Sequence, residues 1–172
     1  MESIIGPWIL GAVVLAGAAT DWYNHKIPNW LTLPAMAVGL ILNAVNGKLP
    51  TALAGMLAAL GLYFLFFALG FRGAGDGKMM GAVGAFVGWP AVAFVMVLVA
   101  LLGGVAAVVV ALRYGALGRV ISLAVAVLAD LVTFRWRQLR ERADYRAPGA
   151  LRMPHGPVIA AGTLVFLLFS PR

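Results

Sequence analysis

The sequence has no cysteine among its 172 residues. This absence excludes disulfide bonds, thiolate zinc sites and cysteine nucleophiles. Only two histidines are present, so the count of metal ligands is poor at any one site, and we expect neither a metal centre nor a cofactor. Charged residues are also scarce, at 11% of the chain, whereas 63% of the residues are hydrophobic. A soluble domain carries about 25% charged residues, so the composition predicts a polytopic membrane protein.

Apolar segments repeat along nearly the whole chain, and a helix needs about 20 residues to cross the hydrocarbon core. The segment at 77–112 is too long for one crossing. It contains "GWP" at 88–90, where proline removes a backbone donor and tryptophan suits the membrane interface. We therefore divide it into 77–88 and 91–112. The sequence thus predicts an all-α protein with six transmembrane helices, the other four lying at 4–20, 31–45, 51–71 and 157–169.

A further apolar segment, 116–134, carries polar residues at helical spacing. Steps of three, four or twice four place these residues on one stripe of a single helix at roughly 117–142. They are Arg119, Ser122, Asp130, Thr133, Arg137 and Arg140. Such a helix suits the membrane interface, with its arginines toward the headgroups, so we interpret it as interfacial and amphipathic rather than transmembrane.

The basic residues give the orientation of this topology. If the N-terminus is outside, all thirteen Lys and Arg residues except Lys48 and Arg172 lie on the cytoplasmic side. This is the bias that the positive-inside rule describes, so the net charge of +7 indicates topology rather than nucleic-acid binding. We expect one membrane domain, 1–172, with a basic cytoplasmic segment at about 113–156.

Two of the six acidic residues, Asp21 and Asp76, lie where an apolar span meets the cytoplasm. Asp21 has no lysine or arginine three or four positions away, and Arg72, four positions before Asp76, falls in a predicted loop rather than on a helix. Two carboxyl groups brought close cannot both ionise cheaply, so they share one proton. Such a pair can hydrolyse an amide, because one member accepts a proton from water while the other polarises the carbonyl. Capping of a helix by Asp76 and ion conduction remain open at this point, and so does metal binding despite the small number of ligands.

The other acidic residues have simpler explanations. Glu2 is terminal. The remaining three accompany arginines on the amphipathic segment, and they are Asp130, Glu141 and Asp144. Ion pairing on a solvated face is the ordinary interpretation of such residues.

Glycines surround Asp76. Gly73 and Gly75 are expected to let the backbone bend tightly before it. Four more, Gly77, Gly81, Gly84 and Gly88, recur every three or four residues and predict a bare helix face for a substrate backbone or a neighbouring helix. Lys78 could orient Asp76 or substrate, although a lysine that snorkels from a helix end is the commoner case.

The segment "GAGDGKMMGAVGAFVG" resembles the GxGDxK motif of the prepilin peptidases, the type IV leader peptidases, which are GxGD aspartic proteases. A second segment, "ATDWYNHKIPNWLTLP", is similar to the family's first aspartate motif, with Asp21 followed by Ile27, Pro28 and Asn29. A third and weaker match, "MPHGPVIAAGT", resembles the Pro-Phe-Gly-Pro segment that opens the last span, with His155 in place of the aromatic residue.

The resemblance implies that Asp21 and Asp76 are the two catalytic aspartates of an aspartic endopeptidase. Positions in the same motifs, Gly73, Gly75, Lys78, Pro28 and Asn29, would bind substrate or support the site. The implied reaction removes the short basic leader of prepilins or pseudopilins at the cytoplasmic face of the inner membrane.

Larger members of the family also carry paired CxxC motifs and methylate the new N-terminus. With no cysteine, the chain resembles the short peptidase-only enzymes of tight-adherence (Flp) pilus systems. Two alternatives come from other classes: a small proton- or cation-coupled transporter component, and a non-catalytic subunit of a pilus or secretion assembly.

Overall fold

The computed structural model describes residues 5–69, 74–143 and 155–170. Within these ranges the chain forms eight α-helices and no β-strand, which confirms the predicted all-α fold. The helices are α1 (Ile5–Asn24), α2 (Asn29–Val45), α3 (Leu49–Ala68), α4 (Ala74–Val87), α5 (Ala91–Arg113), α6 (Leu117–Val132), α7 (Trp136–Ala143) and α8 (Gly156–Phe169).

By length and composition, three of the described helices can cross a membrane: α1, α3 and α5. The helices at three other predicted spans are shorter, with 17 residues in α2 and 14 each in α4 and α8. Large apolar side chains such as Trp8, Leu57 and Leu101 lie exposed on the outside of the bundle. Extensive exposed apolar surface of this kind marks contact with lipid or another apolar partner.

The short helix α4 occupies the centre of the bundle. It contacts α1, α2, α3, α5 and α8. Its buried residues are mostly small, and they run almost without interruption: Gly77, Met79, Met80, Gly81, Ala82, Val83, Gly84 and Ala85. Small side chains let several neighbours approach one helix closely, which is how apolar membrane helices gain packing contacts.

Around Gly55 and Gly84, the contact between α3 and α4 is made by backbone atoms. A Cβ added to Gly84 would overlap the carbonyl of Gly55, and one added to Gly55 would lie 2.6 Å from the carbonyl carbon of Gly88. Nearby, a Cβ at Gly81 would meet Leu60 at 2.7 Å. The predicted glycine face is therefore confirmed, and a neighbouring helix occupies it at these positions.

The division of the long apolar segment at 88–90 is also confirmed, because α4 ends at Val87 and α5 begins at Ala91. Carbonyl groups in the last turn of a helix need donors from outside the helix. Asn43 supplies one from α2, since its Nδ2 donates to the carbonyl oxygens of Ala85 and Phe86, both at 3.0 Å.

The prediction of one helix at 117–142 is wrong in its continuity, because the structure forms α6 and α7 with a break between them. Phe134 has a φ of 53°, and the Arg135 N–H donates to the Asp130 carbonyl at 2.8 Å. This is the bond pattern of a left-handed helix cap, which spacing alone did not reveal. Among the described helices, α6 contacts only α5 and α7, so this pair lies at the side of the bundle.

The acidic residues of this segment differ from one another in environment. Glu141 pairs with Arg137, whose Nε lies 3.3 Å from Oε1, and both side chains are exposed as predicted. Asp130 is buried, at 4% exposure, so the expectation of a solvated face is wrong for this residue. Asp144 lies outside the described residues.

We predict that Gly84→Ala destabilises the protein, because the new methyl group overlaps the α3 backbone rather than a flexible side chain. Overpacking of this kind costs about 1–3 kcal/mol. Thermal unfolding in detergent, followed by circular dichroism, measures the loss.

Gly61→Ala is the matched control for this variant. Gly61 lies on α3, and a Cβ there meets nothing within 4 Å, so this variant should melt at or slightly above the wild-type temperature. Equal melting temperatures for the two variants would contradict the close α3–α4 contact.

Candidate active site

Two contacts define how α1 and the segment after it lie against α4. A Cβ on Gly17 would lie 2.9 Å from the Sδ of Met79, and a Cβ on Gly75 would lie 3.4 Å from the Cβ of Ile27. In the first segment, Gly17 comes before Ile27. In α4 the order of their contacts is reversed, because Met79, the contact of Gly17, comes after Gly75. The two segments therefore run antiparallel.

This register places Asp21 and Asp76 at the same level. Asp21 follows Gly17 by four residues, and Asp76 precedes Met79 by three. At about 1.5 Å of rise per residue, the two aspartates lie roughly 6 Å and roughly 4.5 Å along their helices from the shared contact, in the same direction. The sequence motifs thus meet where the end of α1 approaches the beginning of α4.

The two carboxyl groups have different surroundings. Asp21 is only 7% exposed, and its Oδ2 accepts a hydrogen bond of 2.7 Å from the Gly156 N–H at the start of α8. Asp76 is the third residue of α4, in its first turn, and is half-buried. One carboxyl is therefore enclosed by protein, while the other lies nearer the surface.

The Ile-Pro-Asn segment joins α2 to the same end of α4. Ile27 is buried against Gly75. Pro28 is the N-cap residue of α2, and the Asn29 side-chain carbonyl accepts a hydrogen bond of 2.7 Å from the Lys78 ammonium group. The segment thus contacts α4 on both sides of Asp76 in the sequence.

Gly75 does not form the predicted bend. It is the second residue of α4, and its φ is not in the left-handed region. The absence of a side chain instead leaves room for Ile27. A helix that includes the residue before Asp76 removes the need for a turn there. Gly73, the other glycine of the motif, lies outside the described residues.

The sequence does not predict Gly156 as a site residue, although its segment resembles the third motif of the family. The glycine between His155 and Pro157 was the available signal. Its contact with Asp21 joins residues 135 positions apart in the chain, and no local pattern reports such a separation. As for metals, the described part of the chain holds no group of three or more His, Asp or Glu residues suited to bind one.

The fold and this geometry define an all-helical membrane protein with two carboxyl groups at adjoining helix ends. A family model described as the type IV leader peptidase family matches residues 8–108, a range that contains Asp21 and Asp76. The chain belongs to this family. Together with the apolar helices, membership indicates a multi-pass protein of the inner membrane.

Several curated proteins named prepilin leader peptidase/N-methyltransferase are similar to the chain. The relative from Aeromonas salmonicida (strain A449) is 32% identical over 114 residues, which cover 61% of this chain and 38% of the relative. The relative from Klebsiella pneumoniae is 35% identical over 97 residues, covering 51% and 42%. The relative from Burkholderia pseudomallei (strain 1026b) is 33% identical over 170 residues, covering 94% and 45%.

The chain therefore spans less than half the length of these relatives. No solved structure matches the chain.

We predict that cysteines placed at Ile27 and Gly75 form a disulfide on mild oxidation. The Cβ separation of 3.4 Å is close to the roughly 3.5–4.5 Å found in disulfides, and the chain offers no other thiol. The readout is protection from a maleimide-polyethylene glycol reagent, reversed by reduction.

The control pairs the cysteine at Ile27 with one at Gly104, where a Cβ meets nothing within 4 Å. That pair should stay reactive after oxidation. If the 27/75 pair were modified as fully as the control, the two motifs would not meet as described.

Proposed function

We propose that this protein is an aspartic endopeptidase whose catalytic residues are Asp21 and Asp76. The observation that supports this most directly is the shared level of the two carboxyl groups at the adjoining ends of α1 and α4. Membership of the type IV leader peptidase family supports it independently. A pair of aspartates provides both the base and the acid that amide hydrolysis requires.

In the proposed reaction, the ionised carboxylate accepts a proton from a water molecule, whose oxygen bonds to the scissile carbonyl carbon. The protonated carboxyl donates its proton to the carbonyl oxygen. When the tetrahedral intermediate collapses, the C–N bond breaks and the leaving amine takes the proton held by the first carboxyl. The hydroxyl derived from the carbonyl returns its proton, so that the pair shares one proton as before.

The proposed substrates are prepilins or pseudopilins. The similar proteins are named prepilin leader peptidases, and the family resemblance implies that the cleaved bond lies just before the hydrophobic helix of the substrate. Cleavage would remove the short basic leader at the cytoplasmic face of the membrane. A substrate helix in the bilayer would bring this bond to the level of Asp76, which is half-buried rather than enclosed.

Supporting roles are proposed for the residues that join α2 to α4. The Lys78–Asn29 hydrogen bond and the contact of Gly75 with Ile27 hold the Ile-Pro-Asn segment against the first turn of α4. Pro28 starts α2 at this point. Gly73 is proposed as a further supporting residue on the strength of the sequence motif.

We also propose that this chain cleaves without methylating the product. The similar proteins carry both activities in their names, and the resemblance associates methylation with paired CxxC motifs, whereas this chain has no cysteine. The mass of the mature substrate distinguishes the cases, because each methyl group adds about 14 Da when S-adenosylmethionine is supplied.

The proposed orientation places the N-terminus outside, the site on the cytoplasmic side and the α6–α7 pair at the interface beside the entrance. Apolar side chains of α6, such as Ile121 and Leu128, are exposed, as are the charged side chains of Arg135 and Arg137 on the following turn and α7. This combination suits a helix that lies on an anionic lipid surface.

We expect that Asp21→Asn and Asp76→Asn each reduce cleavage by about 100- to 10,000-fold, because each removes an acid–base group. Purified variants in detergent are incubated with a prepilin-like substrate, and leader loss is followed by mass spectrometry. Glu141→Gln is the matched control, since Glu141 is exposed and pairs with Arg137 away from the aspartates. It should cleave at the wild-type rate.

Undiminished cleavage by either aspartate variant would refute the proposed pair. Wild-type protein that binds the substrate but leaves it intact would favour an assembly role instead.

A labelling experiment tests orientation and the interfacial helix together. In intact cells, a membrane-impermeant maleimide should modify a single cysteine at Lys48 but reach one at Arg137 only after the membrane is permeabilised. A cysteine at Leu128 should resist the reagent in both conditions, because lipid covers this face of α6. Labelling of position 137 from outside would reverse the orientation, and ready labelling of position 128 would contradict the interfacial placement.

A further inference from the structure

The beginning of α8 contacts the side chain of Asp21 directly. The Gly156 N–H donates to Oδ2 at 2.7 Å, and the carboxyl is almost fully buried. A backbone amide from a distant part of the chain therefore helps to fix the orientation of this carboxyl.

Residue 156 needs both a backbone N–H and the absence of a side chain. A Cβ at this position would lie 2.7 Å from the Cβ of Asp21 and 3.0 Å from its Oδ2. The first N–H groups of a helix have no partner within the helix, so this amide is available to bind an acceptor. Glycine is the residue that offers the donor and leaves space for the carboxyl.

The position of Gly156 is determined by packing elsewhere on α8. Ile159 is fully buried, and the backbone at Gly162 lies so close to α5 that a Cβ there would be 3.1 Å from the backbone nitrogen of Val99. The helix lies between α1 and α5. The amide that contacts Asp21 is thus carried on an element that the core already holds in place.

We propose that Gly156 is a positioning residue for the peptidase reaction, a role that rests on the function proposed above. Its amide holds Oδ2 of Asp21, so that the other carboxyl oxygen, Oδ1, is directed to the water molecule or to the partner carboxyl. Displacement of a reacting group by about 1 Å can cost about 100-fold in rate, so loss of this hydrogen bond affects turnover more than substrate binding.

The test compares three glycine-to-alanine variants, two on α8 and one on the neighbouring α1. Gly156→Ala crowds Asp21, Gly162→Ala crowds Val99 at 2.6 Å, and Gly11→Ala makes an ordinary contact of 3.7 Å with Leu164. We expect Gly156→Ala to lower kcat by about 100-fold with KM within about 3-fold of wild type. Gly162→Ala should lower the melting temperature but keep the kcat of the folded enzyme, and Gly11→Ala should change neither.

A purely structural role predicts that Gly156→Ala and Gly162→Ala lose activity in proportion to their loss of stability. That outcome, or a kcat for Gly156→Ala within about 3-fold of the Gly11→Ala value, would overturn the proposal. If wild-type enzyme does not cleave the substrate, the proposed function fails, and the stability measurement that follows still reports on the contact.

The stability measurement also tests the contact if Gly156→Ala folds too poorly for an activity assay. Asp21→Gly removes the atoms that the new Cβ would meet. Gly156→Ala should therefore lower the melting temperature much less in the Asp21→Gly background than in the wild-type background. A double-mutant cycle of melting temperatures measures this difference. An equal loss in both backgrounds would contradict the contact and the proposal with it.

Discussion

The backbone contact between α3 and α4 is the constraint on which the rest of the bundle depends. Where Gly55 meets Gly84, no side chain separates the two helices. This close approach lets α4 lie at the centre, in contact with five other helices. Because lipid is as apolar as the helix surfaces, such packing rather than burial from water holds membrane helices together. The price is a central helix that tolerates almost no added volume.

The central position of α4 brings three distant segments to its first turn. The end of α1 supplies Asp21, the segment that leads into α2 supplies Ile27 and Asn29, and the start of α8 supplies the Gly156 amide. Each segment is a helix end, where backbone groups lack partners within the helix and are available for contacts. The polar groups of the candidate site therefore gather at one end of an otherwise apolar bundle.

Several features of this arrangement were predictable because they are local. The apolar runs and the "GWP" break located the helices α4 and α5, and the glycine spacing identified the face of α4 that packs closely. Three predictions failed for a physical reason. The break at Phe134 and the helical Gly75 depend on backbone conformations that residue spacing does not encode, and the burial of Asp130 depends on neighbours rather than on its helical position.

The sequence by itself determined the membrane character, the helix pattern and the two aspartates with their motifs, because composition and spacing act over a few residues. Only the tertiary structure decided that Asp21 and Asp76 lie at one level and that Asp21 is enclosed while Asp76 is half-buried. It alone also assigned Gly156 to the Asp21 carboxyl. These relations join residues 55 and 135 positions apart, and they arise from how the helices pack around α4.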